Sequence, residues 1–226
     1  MNKSVMFLVV LIVLGVGALF VFSSNNDSIP SGAESDTEEM VAGEAFEFTG
    51  TPFVISSGTS TVVWEGSKKL VPNYKDLGTL EIKEGRFFVD GDILLGGVAV
   101  FDMNSIKVSS TGILANENLL ERHLKSDDFF SVENYPTAEI LISKAEVTSE
   151  GQYQLSGTMT IKEIAQEVSF PASVSIGEDE ILIEGRASFD RTLWDIRYGS
   201  DKFFDNLANN VIDDLFTVEF KIVANK

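Results

Sequence analysis

The chain has 226 residues, 44% of them hydrophobic and 23% charged, which is enough for one sizeable buried core. Its formal net charge of -18 repels the phosphate backbone of nucleic acids, so we expect no nucleic-acid partner. It contains no cysteine, which excludes disulfides, thiolate metal sites and a cysteine nucleophile.

The chain begins with an apolar run. Val5 to Phe22 contains no charged side chain, and as an α-helix the run would be about 27 Å long, close to the thickness of a bilayer's hydrocarbon core. A cleaved signal peptide needs small residues at its cleavage site, whereas this run ends in Phe20, Val21 and Phe22. We therefore predict a membrane anchor over residues 1–22, in preference to a cleaved signal peptide.

The charges around this run predict the location of the rest of the chain. Lys3 precedes the run and the next basic residue is Lys68, so the body lies outside the cytoplasm. It would be in the periplasm or at the cell surface, tethered to the cytoplasmic membrane or secreted. Residues 23–52 carry seven acidic residues and no basic one, which predicts a flexible linker. The folded domain is expected over residues 53–226.

In that domain apolar residues recur at every second position. Val168, Phe170, Ala172 and Val174, for example, alternate with Ser and Pro residues. This period is typical of antiparallel strands with one apolar and one wet face. We predict strands at 60–65, 77–83, 86–94, 98–109, 138–147, 155–161, 168–176, 181–189 and 216–222.

Helices and turns are predicted at a few places only. Residues 116–126 and 201–209 read as two short helices, and Lys83-Glu84-Gly85 as a turn between two strands. About nine strands with one continuous apolar face can form a sandwich or a closed barrel. A barrel of this size is either filled by side chains or holds one small ligand, and the pattern leaves both open.

Four segments, in this order, resemble the YceI-like family of lipid-binding proteins. They are 103–108, 122–130 followed by Tyr135-Pro136, 157–162 and 189–199. The second reads Arg-His-Leu-Lys-Ser-Asp-Asp-Phe-Phe and is similar to the family's central signature. The chain departs from the family pattern at three places: Asp76 stands where the family often has a His, Glu121-Arg122 where it usually has Arg-Asp, and Glu163 where it has a Gly.

The resemblance implies an all-β fold, an extended lipocalin-like antiparallel β-barrel with one or two short helices, here preceded by the N-terminal membrane helix. It also implies a long-chain isoprenoid lipid, such as a polyprenyl carrier or a quinone, bound in the interior as a ligand. No cofactor is expected. The function would be to bind, store or carry this lipid, and a homodimer is left open.

Candidate ligand-binding residues lie on the apolar faces and in the segments that carry the resemblance. Arg191 would either pair with a carboxylate such as Asp195 or contact a polar head, and it shares one side with Arg197 if the late strand continues. Trp194 and Tyr198 would lie along the pore or under the predicted helix at 201–209. The predicted ligand contacts are Phe129, Phe130, Met159, Phe170, Phe189, Arg191, Trp194 and Tyr198.

No catalytic or metal site is predicted. His123 is the only histidine, and no Gly-x-Ser-x-Gly segment supplies a nucleophile. We therefore predict that the protein is not an enzyme. Two alternatives stay open: an enzyme acting on a lipid in the same cavity, and an interaction module with a filled core.

Overall fold

A computed structural model describes residues 48–112 and 116–226 of the chain. The predicted membrane anchor, and the predicted linker up to residue 47, lie outside the described residues. Within the described ranges, no helix is long and apolar enough to span a membrane.

In the part of the chain that the structure describes there are nine β-strands and one α-helix. The strands are β1 (Thr51–Ile55), β2 (Thr61–Ser67), β3 (Lys75–Asp90), β4 (Ile93–Ser110), β5 (Thr137–Ser149), β6 (Gln152–Ile161), β7 (Ile164–Ile176), β8 (Glu180–Asp190) and β9 (Leu215–Asn225). Helix α1 (Glu117–Lys125) lies between β4 and β5.

The sheet closes on itself. Strands pair antiparallel in the order β3, β2, β9, β8, β7, β6, β5 and β4, and β4 pairs with β3 again. Strand β1 shares the position of β2, because both pair with β3 and β9 at different heights. The result is a closed antiparallel barrel of eight strand positions, which confirms the predicted all-β barrel with one short helix.

The period of two in each strand gives the barrel an apolar inner face and a wet outer face. In β7 the side chains of Val168, Phe170, Ala172 and Val174 are buried, and the residues between them are exposed. Every strand places its alternate apolar residues in one shared interior, and each such residue removes apolar surface from water.

The barrel has two different ends. At the end that we call the hairpin end, tight turns join β3 to β4, β5 to β6 and β7 to β8. At the end that we call the helix end, β2, β4 and β8 finish and α1 lies beside β4. The interior at the hairpin end is packed with buried side chains, among them Phe53, Val89, Leu94, Tyr153, Val174 and Ile181.

The predicted turn at Lys83-Glu84-Gly85 is wrong. Strand β3 runs through these residues, with a register shift between Ile82 and Glu84 that marks a bulge. Gly85 serves close packing here, because a Cβ atom would lie 2.6 Å from the carbonyl oxygen of Val98 and 2.5 Å from Ile55. The chain turns instead at Gly91, whose φ of 59° suits glycine.

The first predicted helix is confirmed as α1. The side chain of Asn116 caps its N-terminus by accepting a hydrogen bond from the backbone N–H of Leu119. Glu121 and Lys125 form an ion pair one turn apart at 3.0 Å. These contacts give a nine-residue helix enough local support to form.

The second predicted helix, at 201–209, is wrong. Only Ala208–Asn210 is helical, as one 3₁₀ turn. Phe203 and Phe204 are exposed, and only Leu207 of the apolar residues in this segment reaches the cavity wall. The late strand does not continue to Arg197 either. Strand β8 ends at Asp190, which caps a 3₁₀ helix at Arg191–Trp194.

Candidate functional site

A cavity of about 620 Å³ lies inside the barrel, toward the helix end. This volume is within the usual range of ligand pockets, about 300–1,000 Å³. Its wall consists mostly of inward-facing apolar side chains from β2 to β9, including Phe87, Phe101, Leu155, Phe170, Val218 and Phe220. The side chains of the filled hairpin end form its floor.

Helix α1 and the segment after it cover part of the helix end. Leu120, His123 and Leu124 of α1 line the cavity, and so do Phe129 and Phe130. No residue of α1 is fully buried. The helix therefore rests on the opening by one face and adds little to the core.

An aromatic contact joins the two sides of this cover. The ring of His123 lies edge-on to Phe129 at 4.9 Å and to Tyr198 at 4.5 Å between ring centroids. Tyr198 belongs to the loop between β8 and β9, so this loop and α1 meet over the cavity. Nε2 of His123 also lies 3.3 Å from the carboxylate of Asp128, which is largely exposed.

Arg191 lies at the cavity wall with its guanidinium buried. It donates hydrogen bonds to the carbonyl oxygens of Asp213 at 3.0 Å, Ile196 at 2.7 Å and Ile212 at 3.3 Å. Nη2 also lies 3.5 Å from the carboxylate of Asp214. Burial lowers the pKa of Arg191, and the nearby carboxylates, Asp214 first, oppose this effect. Its donors hold the β8–β9 loop in place.

The carboxylate that pairs with Arg191 differs from the predicted one. Asp195 lies after the 3₁₀ helix, in a left-handed conformation with φ of 58°, and pairs with Arg197. A strand would have carried Asp195 along the barrel wall. Because the chain turns away at Asp190, Asp214, the residue before β9, is brought beside Arg191 instead.

Trp194 lies in the 3₁₀ helix beside a gap in the barrel wall. Strands β7 and β8 pair only from Ser173 to Ile176, so they separate toward the helix end. Pro171 lies at this separation and has no N–H group for a neighbouring strand. The indole of Trp194 is fully buried and donates to the carbonyl oxygen of Met159 at 3.1 Å.

A polar cluster lines the cavity at the start of β3. The Asp76 carboxylate accepts hydrogen bonds from the backbone N–H of Gly112 at 3.1 Å and from the Tyr74 hydroxyl. Nζ of Lys68 lies 4.9 Å from the centroid of the Tyr74 ring. Burial raises the pKa of Asp76, and burial together with Asp76 raises the pKa of Tyr74 to about 12.

The structure places most of the predicted ligand contacts on the cavity. Seven of them line it: Phe129, Phe130, Met159, Phe170, Phe189, Arg191 and Tyr198. Trp194 does not line the cavity; its indole is fully buried against the rings of Phe189 and Phe216 and is bonded to the Met159 carbonyl. Contact of these residues with a ligand stays a prediction.

Many residues of the cavity wall were not among the predicted contacts, and three of them carry polar groups that matter below. Trp64 faces the cavity from β2, and Tyr74 and Asp76 line its opening. The departure from the family pattern at Asp76 was the available signal, since Asp76 stands where the family often has a His. Within residues 48–112 and 116–226, no group of three or more His, Asp or Glu side chains could hold a metal ion.

Comparison with known proteins places this fold in a family. The family model of the YceI-like domain matches residues 53–224. No curated protein matches the chain in sequence. Among solved structures, BcnA of Burkholderia cenocepacia is 18% identical with a TM-score of 0.61, over 76% of this chain and 99% of that chain.

Two further solved structures are similar. A polyisoprenoid binding domain from Saccharophagus degradans is 15% identical with a TM-score of 0.54, over 76% of this chain and 97% of that chain. The YCEI protein of Campylobacter jejuni is 17% identical with a TM-score of 0.50, over 64% of this chain and 82% of that chain. The match of the family model to residues 53–224 confirms the resemblance, and the chain belongs to the YceI-like family.

Proposed function

We propose that this protein binds a long-chain isoprenoid-type lipid in its barrel and stores or carries it without chemical change. The observation that carries the proposal is the cavity of about 620 Å³ with an apolar wall. The relative from Saccharophagus degradans is a polyisoprenoid binding domain, which supports the same class of ligand. An interaction module with a filled core is disfavoured by the hollow half of the barrel.

The apolar chain would supply most of the binding energy. Water takes about 30 Å³ per molecule in the liquid, so the cavity has room for roughly 20 atoms of similar size. Each buried methylene contributes about 0.8 kcal/mol relative to water. A membrane is as apolar as this wall, so a lipid gains little by moving between them. That balance allows both uptake and release, as a carrier requires.

Exchange would take place at the helix end, where the cavity opens beneath α1. Several apolar side chains at this end are exposed: Leu119, Leu193, Tyr198, Phe203 and Phe204. A chain that leaves the cavity would meet these side chains before it meets water. Arg191 donates to carbonyl oxygens of the β8–β9 loop, so its guanidinium is not placed to act on a lipid.

The proposal includes an extracytoplasmic location. The apolar run over residues 1–22 would anchor the protein in the cytoplasmic membrane and the acidic linker would tether the barrel outside it. N-terminal sequencing of the protein from membrane fractions should give Met1 or Asn2. A mature start near Leu19 or Asn25 would replace the anchor with a cleaved signal and keep the export.

The test of lipid binding is extraction of the protein purified from its native membrane. Native mass spectrometry should show one lipid per chain, and the organic extract should contain an isoprenoid chain. Ala99→Phe places a ring in the cavity and should lower occupancy at least tenfold, because Ala99 lines the wall. Val100→Phe, one residue along and not on the cavity wall, is the matched control.

The two possible failures of this test differ. A parent protein that carries no lipid and takes up none from vesicles contradicts lipid binding. A parent protein that returns a chemically altered lipid after incubation contradicts the non-enzymatic part of the proposal.

A further inference from the structure

The polar side chains that face the cavity lie at its opening. The basic ones, Arg191 and Lys68, are engaged with other groups of the protein. Arg191 uses its guanidinium on three carbonyl oxygens and on Asp214. Lys68 lies over the ring of Tyr74, beside Asp76. Neither cation is presented to the cavity in the open fork or backbone nest that holds a phosphate.

The carboxylates at the opening are placed differently. Asp76 lines the cavity half-buried, and its hydrogen bonds come from Tyr74 and Gly112. Asp213 lines it from the start of the β9 segment, and its side chain accepts bonds from Ser67 and from the backbone N–H of Leu215. Each carboxylate keeps lone pairs beyond these bonds, since a carboxylate has about four acceptor positions.

We propose that Asp76 and Asp213 make the cavity selective for lipids with an uncharged head that carries a hydroxyl group, such as a long-chain alcohol or a reduced quinone. A phosphate or diphosphate head on the same chain is disfavoured. This inference rests on the proposed function, because it concerns the head of the lipid whose chain fills the barrel.

The reason is electrostatic. A hydroxyl group can donate to a carboxylate at the opening without adding charge to a partly dry site. A phosphate head would bring negative charge to the same place, where repulsion between like charges is strong because the protein screens it less than water does. Burial already raises the pKa of Asp76, so this site resists even one negative charge.

The test compares two probes with the same chain: a C20 prenyl alcohol and its monophosphate. Binding to the purified full-length protein at pH 7 can be followed by the change in Trp64 fluorescence, since Trp64 lines the cavity; a Trp194→Phe background removes the other tryptophan. We expect the alcohol to bind at least tenfold more tightly. Equal or tighter binding of the monophosphate overturns the inference, and failure of both probes to bind overturns the proposed function.

Variants assign the selectivity to the carboxylates. Asp76→Asn should keep the affinity for the alcohol within threefold and raise that for the monophosphate at least threefold. Asp213→Asn should act in the same direction, so the test survives if one variant folds poorly. Asp92→Asn makes the same charge change at the hairpin end and is the control. If Asp76→Asn and Asp213→Asn change the selectivity no more than Asp92→Asn does, the two carboxylates are not the source of the selectivity.

Discussion

Replacement of Trp194 tests whether this side chain closes the wall between β7 and β8. The side chain is fully buried, its ring contacts those of Phe189 and Phe216, and its N–H is bonded to the Met159 carbonyl. Trp194→Ala removes this packing and leaves a hole in the wall. Large-to-small changes of buried aromatic residues cost about 3–5 kcal/mol. For a domain of this size the melting temperature should fall by roughly 6–20 °C.

Trp194→Phe separates the hydrogen bond from the packing. Most of the ring is kept, but the Met159 carbonyl loses its indole donor. An unpaired buried acceptor costs about 1–3 kcal/mol, so this variant should lie between the parent and Trp194→Ala. Unfolding in urea, followed by circular dichroism, measures the free energy of unfolding for each variant.

Trp64 is the matched control. Its indole N–H also bonds to a backbone carbonyl, that of Thr79 at 3.3 Å, but its ring faces the cavity and is only partly buried. A side chain that borders empty space has fewer neighbouring atoms to lose. Trp64→Ala should therefore cost about 1–3 kcal/mol. If Trp194→Ala lowers the free energy of unfolding no more than Trp64→Ala does, the prediction that Trp194 closes the wall between β7 and β8 is refuted.

Three further predictions follow from particular residues. Glu163 has φ of 61°, so Glu163→Gly should stabilise the fold by about 0.5–1 kcal/mol, whereas Glu150→Gly should not. The pKa of Tyr74 is raised to about 12, so the folded state keeps this proton where the unfolded state loses it. Stability should therefore fall from pH 10 to pH 12, and Tyr74→Phe should weaken that fall in urea titrations. Phe170→Asp should abolish lipid retention but leave a folded barrel, whereas Val174→Asp should prevent folding.

Most strands were predictable because each carries its own signal. Strand β1 was not predicted, and the predicted strand 86–94 was wrong at its end, because it spans the turn at Gly91 between β3 and β4. The alternation in 168–176 and 216–222 marks one buried face per strand, and the structure pairs both segments in the wall. The turn predicted at Gly85 was wrong because the sequence alone does not distinguish a glycine that is required for close packing from a glycine in a turn. Only the partner strand, with Val98 beside Gly85, tells the two apart.

The site was less predictable, because its polar residues act through distant parts of the chain. Arg191 lies in the 3₁₀ helix after β8, and its partner Asp214 follows a loop of more than twenty residues. Trp194 lies in an aromatic-rich segment whose sequence predicts a strand. Its position beside the gap between β7 and β8 depends on the separation of those two strands. These roles depend on the closure of the barrel, which no local pattern contains.

The difference between Phe170 and Val174 decides whether the hollow half of the barrel is a binding site or loose packing. Both residues are buried on the inner face of β7, but Phe170 lines the cavity and Val174 lies in the filled hairpin end. An unpaired charge in a filled core costs several kcal/mol, because no water reaches it. At Phe170 the cavity can admit water to the carboxylate, so the fold should survive while an apolar chain is excluded. If both variants unfold alike, or if Phe170→Asp still retains lipid, the cavity is not the site.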